Sequence, residues 1–136
     1  MRIYLDSNVL ISHLREEIGW GFRPLFLEAE AFFDEARKKH LTLIISILFL
    51  EEVEAKTFLT VNEIISRLDE MQLIHERWGK NSMPFEKHIK AGIHYKDAVH
   101  IANAIDSRCD AIATFNLKDF EPASNEIRIL NPISVI

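Results

Sequence analysis

The chain alternates between two hydrophobic periods. Ile3-Tyr4-Leu5 is a short run of strand formers, followed at once by Asp6-Ser7-Asn8, three residue types that favour helix N-caps, and then by Val9, Leu10, Ile11 and Leu14 at helical spacing. This predicts a strand, a tight turn and a helix. Gly19 to Pro24 reads as a loop, and Pro24 suits the first turn of a helix whose apolar face is Leu25, Phe26, Ala29, Phe32, Phe33 and Ala36. Leu41 to Ile45 is a continuous apolar run, the mark of a strand buried on both faces, and Ser46 suits the N-cap of the next helix. Helices are predicted from about Ile47 to Lys56 and from about Val61 to Ile74, with Trp78 to Met83 as a loop. Pro84 opens a short helix, Tyr95 to Ser107 is a longer one, and Ala111 to Thr114 and Ile127 to Leu130 are short strands.

Strands that alternate with helices, without a hairpin signal, predict an α/β fold: a central parallel β-sheet covered by helices on both faces, a three-layer α/β/α sandwich. The 136 residues fit one domain spanning 1–136, and ligands in such folds bind beyond the carboxyl ends of the strands. A hydrophobic content of 48% with only four Gly and four Pro excludes a disordered or low-complexity chain. The lone Cys109 excludes an internal disulfide or a multi-cysteine metal site and suits a reducing, cytoplasmic compartment. No apolar run approaches the roughly 20 residues a membrane-spanning helix needs, and the opening Met1-Arg2-Ile3 is unlike a secretory leader, so no membrane partner is expected. The sequence also lacks a Gly-rich phosphate loop and a Gly-x-Ser-x-Gly elbow.

The predicted elements bring carboxylates to one sheet edge. Asp6 ends the first strand, Thr114 ends a later one with Asn116 and Asp119 just beyond, and Glu52 and Asp97 lie one or two turns into helices that begin near strand ends. Such a cluster repels itself unless a divalent cation occupies it, and hard oxygen donors without Cys favour Mg²⁺ or Mn²⁺ over zinc. Each residue also has a structural reading: Asp6 as a helix cap, Asp97 as a first-turn carboxylate, Glu52 as an exposed helix position, and Asp119 as a loop residue. The run Glu51-Glu52-Val53-Glu54 leaves the register between Glu51 and Glu52 open.

Leu5-Asp6-Ser7-Asn8-Val9, then Ile45-Ser46-Ile47 with Glu52-Val53, then His94-Tyr95-Lys96-Asp97-Ala98-Val99-His100-Ile101-Ala102-Asn103-Ala104, then Ala113-Thr114-Phe115-Asn116-Leu117-Lys118-Asp119-Phe120 resemble, in order, the four motifs of the PIN-domain family. That family includes the VapC-type toxins of toxin–antitoxin pairs. The resemblance covers essentially the whole chain and implies a PIN-like sandwich and an endoribonuclease dependent on Mg²⁺ or Mn²⁺ that leaves 5′-phosphate and 3′-hydroxyl ends. It implies Asp6, Glu52 and Asp97 as metal ligands, with Glu52 preferred over Glu51 by its spacing from Ser46. Asn116 would complete the catalytic set, with Ser7, Asn8, Thr114 and Asp119 in support. Some members carry Asp where Asn116 stands, a difference that bears on a second metal.

Net charge is −5, yet Arg77, Lys80, Lys87, Lys90 and Lys96 stand against Glu86 alone between residues 77 and 96. Lys87, Lys90 and Lys96 are the expected RNA contacts, and the same strip also reads as a solvated helix face. Trp78 beside Arg77 and Lys80 suits either packing or stacking on an unpaired base. The histidines form no ligand pair and read as surface or hydrogen-bonded imidazoles, while Phe32, Phe33, Phe49 and Phe58 are expected in the core. The apolar content of Leu25–Phe33 and Phe49–Leu59 exceeds what one small core needs and predicts a homodimer or an antitoxin partner. Two other functions fit parts of the pattern. One is a PIN-like module that binds RNA or protein without cutting, favoured by Asn116. The other is a haloacid-dehalogenase-type phosphatase, which wants an Asp where Asn8 stands; a receiver domain fits less well, lacking its acidic pair.

Overall fold

The computed structural model describes residues 1–135. Five parallel strands form one sheet: β1 (Arg2–Leu5), β2 (Thr42–Ser46), β3 (Ile74–Trp78), β4 (Ala111–Ala113) and β5 (Arg128–Leu130), in the order β3-β2-β1-β4-β5. Seven helices connect them: α1 (Ser7–Leu14), α2 (Leu25–Lys38), α3 (Ile47–Thr57), α4 (Val61–Glu70), α5 (Glu86–Lys90), α6 (Tyr95–Asp106) and α7 (Leu117–Phe120). The three-layer α/β/α sandwich arises from strand periodicity. Side chains alternate across a strand. Ile3, Leu5, Leu43, Ile45, Ala111 and Ala113 therefore pack on one face with Val9, Leu10, Phe32, Phe33, Phe49 and Ile64. Tyr4, Ile44 and Ile112 face the other way, onto Ala98, Ile101, Ala104 and Phe120.

The order of strands has one reversal. The chain moves outward from β1 to β2 and β3, then returns to place β4 on the opposite side of β1. At such a reversal the neighbouring connections leave in opposite directions and open a crevice beyond the strand ends. Asp6 and Thr114, which come directly after β1 and β4, flank this crevice.

Two expectations are corrected. The segment 74–78 is a strand, not a helix end running into a loop. As an edge strand it has Ile74, Glu76 and Arg77 exposed and only His75 and Trp78 half-buried, so it carries no apolar alternation to announce it. Trp78 packs against the Tyr4 side of the core, with the Lys80 ammonium 5.4 Å from its ring centre. Phe58 is not a core residue: it is 90% exposed, whereas Phe32, Phe33 and Phe49 are buried as expected. One element has no counterpart in the sequence pattern, the single turn of helix from Leu117 to Phe120 with Asn116 at its N-cap position. Much of the apolar surplus of α2 and α3 is consumed internally, by Ala29, Phe32, Phe33, Phe49, Leu50 and Val53.

Phe49→Ala is expected to cost about 3–5 kcal/mol, because a fully buried aromatic leaves a cavity. Phe58→Ala is expected to stay within about 0.5 kcal/mol. Urea unfolding checks both, and equal losses at the two sites would contradict this assignment of the core.

Candidate active site

Asp6 is placed by backbone before its side chain matters. Its N–H continues the β1–β4 ladder by donating to the Ala113 carbonyl at 3.0 Å, and α1 begins at the next residue. Although Asp6 occupies the N-cap position, its carboxylate caps nothing. Its Oδ2 instead accepts from the Thr114 hydroxyl at 2.7 Å across the crevice. Thr114 Oγ1 also receives the Asn116 N–H at 3.0 Å and the Asn8 amide at 3.4 Å, while Asn8 Oδ1 accepts from the Phe115 N–H. Asn8 and Thr114 thus lace the ends of β1 and β4 together around a carboxylate that is only 5% exposed.

Glu52 reaches the same point from the other side. Ser46 ends β2 and caps α3, its Oγ accepting from the Phe49 N–H at 3.0 Å. That cap sets the phase of α3, sending Val53 into the core, leaving Glu51 exposed and turning Glu52 toward β1. Glu52 Oε1 accepts from the Ser7 hydroxyl at 2.9 Å and lies 2.6 Å from His100 Nε2.

His100 is the residue that sequence reasoning did not assign to the site. Helix α6 is buried without a break from Ala98 to Ala104, so the imidazole has no route to solvent. Its Nε2 sits 3.8 Å from Asp6 Oδ1 as well as against Glu52, and its Nδ1 lies 2.5 Å from the Tyr4 hydroxyl. Tyr4 in turn is 2.7 Å from Ser46 Oγ. With Nε2–H donating to Glu52, a neutral ring accepts from Tyr4, and a charged ring donates to it; the hydroxyls rotate to serve either state. One signal was available: His100 lies three residues beyond Asp97, a spacing that puts two side chains on one side of a helix.

The electrostatics divide the cluster. Burial pushes the Asp6 carboxyl above its usual range, more than His100 and the Thr114 hydrogen bond lower it. Asp97, in the first turn of α6 and half-buried, is pushed up to about 6 by burial and then by the charge of Asp6, with Asp119 adding to it. For Glu52 the same burial is outweighed by the hydrogen bond and charge of His100 and by the Ser7 hydroxyl, so it lies below its usual range. Burial likewise opposes charge on His100, yet Glu52 and Asp6 raise its pKa overall. His100 therefore answers part of the negative charge, and Asp6 and Asp97 are left to share a deficit of cation.

Among the described residues, Asp6, Glu52 and His100 form the one group able to offer three metal-ligand atoms within 4.8 Å of one another. Asp97 stands outside that tightest group, on a cavity of about 430 Å³ that it shares with His94, Lys118 and Asp119. No family model matches the chain, and no curated protein is significantly similar to it. The donor chemistry fits a hard divalent cation, since carboxylate oxygens dominate and no thiol is present.

The remaining expected residues divide by position. Asn116 and Asp119 are exposed beyond β4, Asn116 using its backbone N–H on Thr114. Lys96 lines a cavity of about 350 Å³ together with Ser7, Asn8 and Glu52. Lys87 and Lys90 point elsewhere on α5, where Lys87 pairs with Glu126 at 2.6 Å and Lys90 with Glu86 at 3.2 Å.

A carboxyl whose folded pKa is raised holds a proton that the unfolded chain has released, so its contribution to stability falls as pH rises through the interval between the two values. For Asp97 that interval runs from the ordinary 3.8 to about 6. In chelator, the melting temperature should therefore decline over this range, and Asp97→Asn should flatten the decline and melt higher above pH 6. Parallel melting curves for the two proteins from acid to neutral pH would show that the fold does not raise the Asp97 pKa.

Proposed function

We propose that this chain is a PIN-like endoribonuclease dependent on Mg²⁺ or Mn²⁺. The observation that carries the reading is the group of Asp6, Glu52 and His100, whose ligand atoms lie within 4.8 Å of one another at the ends of the central strands, with Asp97 half-buried and near enough for the charge of Asp6 to add to its burial in raising its pKa. Asp6, Glu52 and Asp97 would hold the ion, and His100 lies close enough to Asp6 and Glu52 to orient their oxygens. When bound, the cation supplies Lewis-acid polarisation of the phosphodiester and lowers the pKa of a water.

The chain's own groups do the rest. Thr114 orients Asp6 and Ser7 orients Glu52, each through a short hydrogen bond that leaves other carboxylate lone pairs free. The His100–Tyr4–Ser46 chain fixes the Glu52 oxygen from behind. Lys96, beside Glu52, supplies a positive group where a phosphate would approach. In-line attack on phosphorus with departure of the 3′ oxygen leaves 5′-phosphate and 3′-hydroxyl ends. A homodimer or an antitoxin partner belongs to this reading through the apolar content of Leu25–Phe33 and Phe49–Leu59, and a cytoplasmic setting through the lone Cys109. The exposed Phe22 and Leu27 offer apolar surface that such a partner would cover.

A second reading, a module that binds without cutting, is favoured by one feature. The fourth motif ends in the uncharged Asn116, and the nearby Asp119 is exposed. The phosphatase reading loses ground because Asn8 spends its amide on Thr114 and its carbonyl on the Phe115 N–H, which ties it into the scaffold.

Incubation with a panel of structured and single-stranded RNAs should give cleavage with Mg²⁺ or Mn²⁺ and none with chelator. Asp97→Asn should slow it by roughly 10²-fold or more, the scale of several kcal/mol of lost transition-state stabilisation. Products should carry 5′-phosphates. RNA binding without cleavage in either metal would favour the module.

A further inference from the structure

Two helix stripes lead away from the carboxylates. On α1 and its C-cap, Ser7, Ile11 and Arg15 recur every four residues, and on α3, Glu52 and Lys56 do the same with the small Ala55 beside them. Together they wall the cavity that begins at Ser7 and Glu52. Arg15 and Lys56 also line a second cavity of about 360 Å³, whose other walls are Leu14, Thr57, Phe58, Leu59 and Arg67, so the two cavities adjoin and together form a groove that leads from the site toward Phe58. Its length along α3 from Glu52 to Phe58 is on the order of 9 Å, the reach of a nucleotide or two.

Phe58 is nearly fully exposed with a positive φ, as is Phe22, but of the two only Phe58 lines a cavity shared with Arg15 and Lys56. It ends α3 with φ 61° and ψ 12°, a left-handed cap where glycine is the ordinary residue, and its ring is 90% exposed. A bulky residue in this region is strained, and nothing in the core is gained by placing it there. The turn is nonetheless held firmly. Thr57 Oγ1 donates to the Val53 carbonyl at 2.7 Å and accepts from the Leu59 N–H, and Thr60 and Glu63 form a reciprocal capping box at the start of α4. The ring is therefore presented by a clamped turn.

We propose that this groove seats a single-stranded RNA segment beside the scissile phosphate, with one unpaired base stacked on Phe58 and its phosphates on Lys96, Lys56 and Arg15. The inference rests on the ribonuclease reading and names the form of substrate it takes. Charge favours a polyanion: Lys56, Lys96 and Arg67 carry no ion pair among the described residues, and Arg15 is met only by Glu17, at 3.7 Å, a carboxylate that Ser12 also holds. An exposed aromatic face favours an unpaired base, since bases in an A-form duplex are stacked out of reach.

The test titrates labelled oligouridylate, oligoadenylate and a short RNA duplex, in Mg²⁺, against the full chain carrying Asp97→Asn to spare the bond, with and without changes at Phe58. Phe58→Ala should weaken both single strands roughly tenfold, the loss of one stacked base. Phe58→Trp should keep the affinity, and its added fluorescence should be quenched on binding. Phe58→Gly should bind as weakly as Phe58→Ala yet melt about 3 °C higher, because glycine accepts the positive φ. A ring with a merely structural role would lose stability instead. Equal affinity of the parent and Phe58→Ala, or duplex binding as tight as single strands, would overturn the proposal. So would concentration-dependent self-association of the parent that Phe58→Ala abolishes, which would assign the ring to a protein contact. The two readings fail separately. Phe58-dependent binding by a wild-type chain that cuts nothing would retire the nuclease and keep the groove, whereas cutting with an unchanged KM in Phe58→Ala would do the reverse.

Discussion

A carboxylate buried at the end of a central strand is costly, and the arrangement of this fold around Asp6 is largely the answer to that cost. Its backbone extends the sheet by one ladder bond, and its side chain takes the Thr114 hydroxyl from the neighbouring strand. From the other face of the sheet His100 brings its Nε2 within 3.8 Å of Oδ1, its pKa raised, against its burial, by the hydrogen bond and charge of Glu52 and by the charge of Asp6. None of these requires a large shift of any element, because the parallel order β3-β2-β1-β4-β5 already brings the ends of β1, β2 and β4 to one edge.

That compensation is incomplete, and the remainder is informative. Glu52 is stabilised as an anion by His100 and Ser7, whereas Asp6 and Asp97 are both held above the usual carboxylate range. If stability alone had shaped the site, an amide at 97 would remove the repulsion at little cost to packing. Retaining three acids around a crevice with room for solvent is the trade expected where a bound cation and a phosphate complete the charge balance. Phe58 carries a positive φ and an exposed ring, as Phe22 does, but of the two only Phe58 stands on a cavity that Arg15 and Lys56 share with the site.

Much of this is legible in the sequence because the informative residues sit at element boundaries. Asp6, Ser46 and Thr114 are read from where strand patterns stop, and Glu52 and Asp97 from where the next helices start. The Glu51/Glu52 ambiguity resolves once Ser46 caps α3 and Val53 turns inward, a phase that the run of acids itself does not carry. The features that stay hidden lack periodic contrast. Strand β3 lies at the sheet edge with charged residues on its exposed positions. His100 lies on a helix buried on nearly every side, where position along the sequence says little about which neighbour a polar group meets. Phe58 escapes because aromatic residues near a core helix are ordinarily inside it, and the left-handed cap that turns its ring outward has no glycine to mark it.

The central claim is that the crevice between β1 and β4 binds a divalent cation through Asp6 and Glu52 with Asp97 alongside. Anomalous diffraction from crystals grown with Mn²⁺ tests it most directly. The account predicts a single strong peak within coordinating distance, about 2.2 Å, of a carboxylate oxygen of Asp6, lost in crystals of Asp6→Asn. Crystals that diffract well in Mn²⁺ but show no peak at this edge, with His100 still bridging Glu52 and Asp6, would mean that the imidazole alone balances the cluster and that the site is not a metal centre.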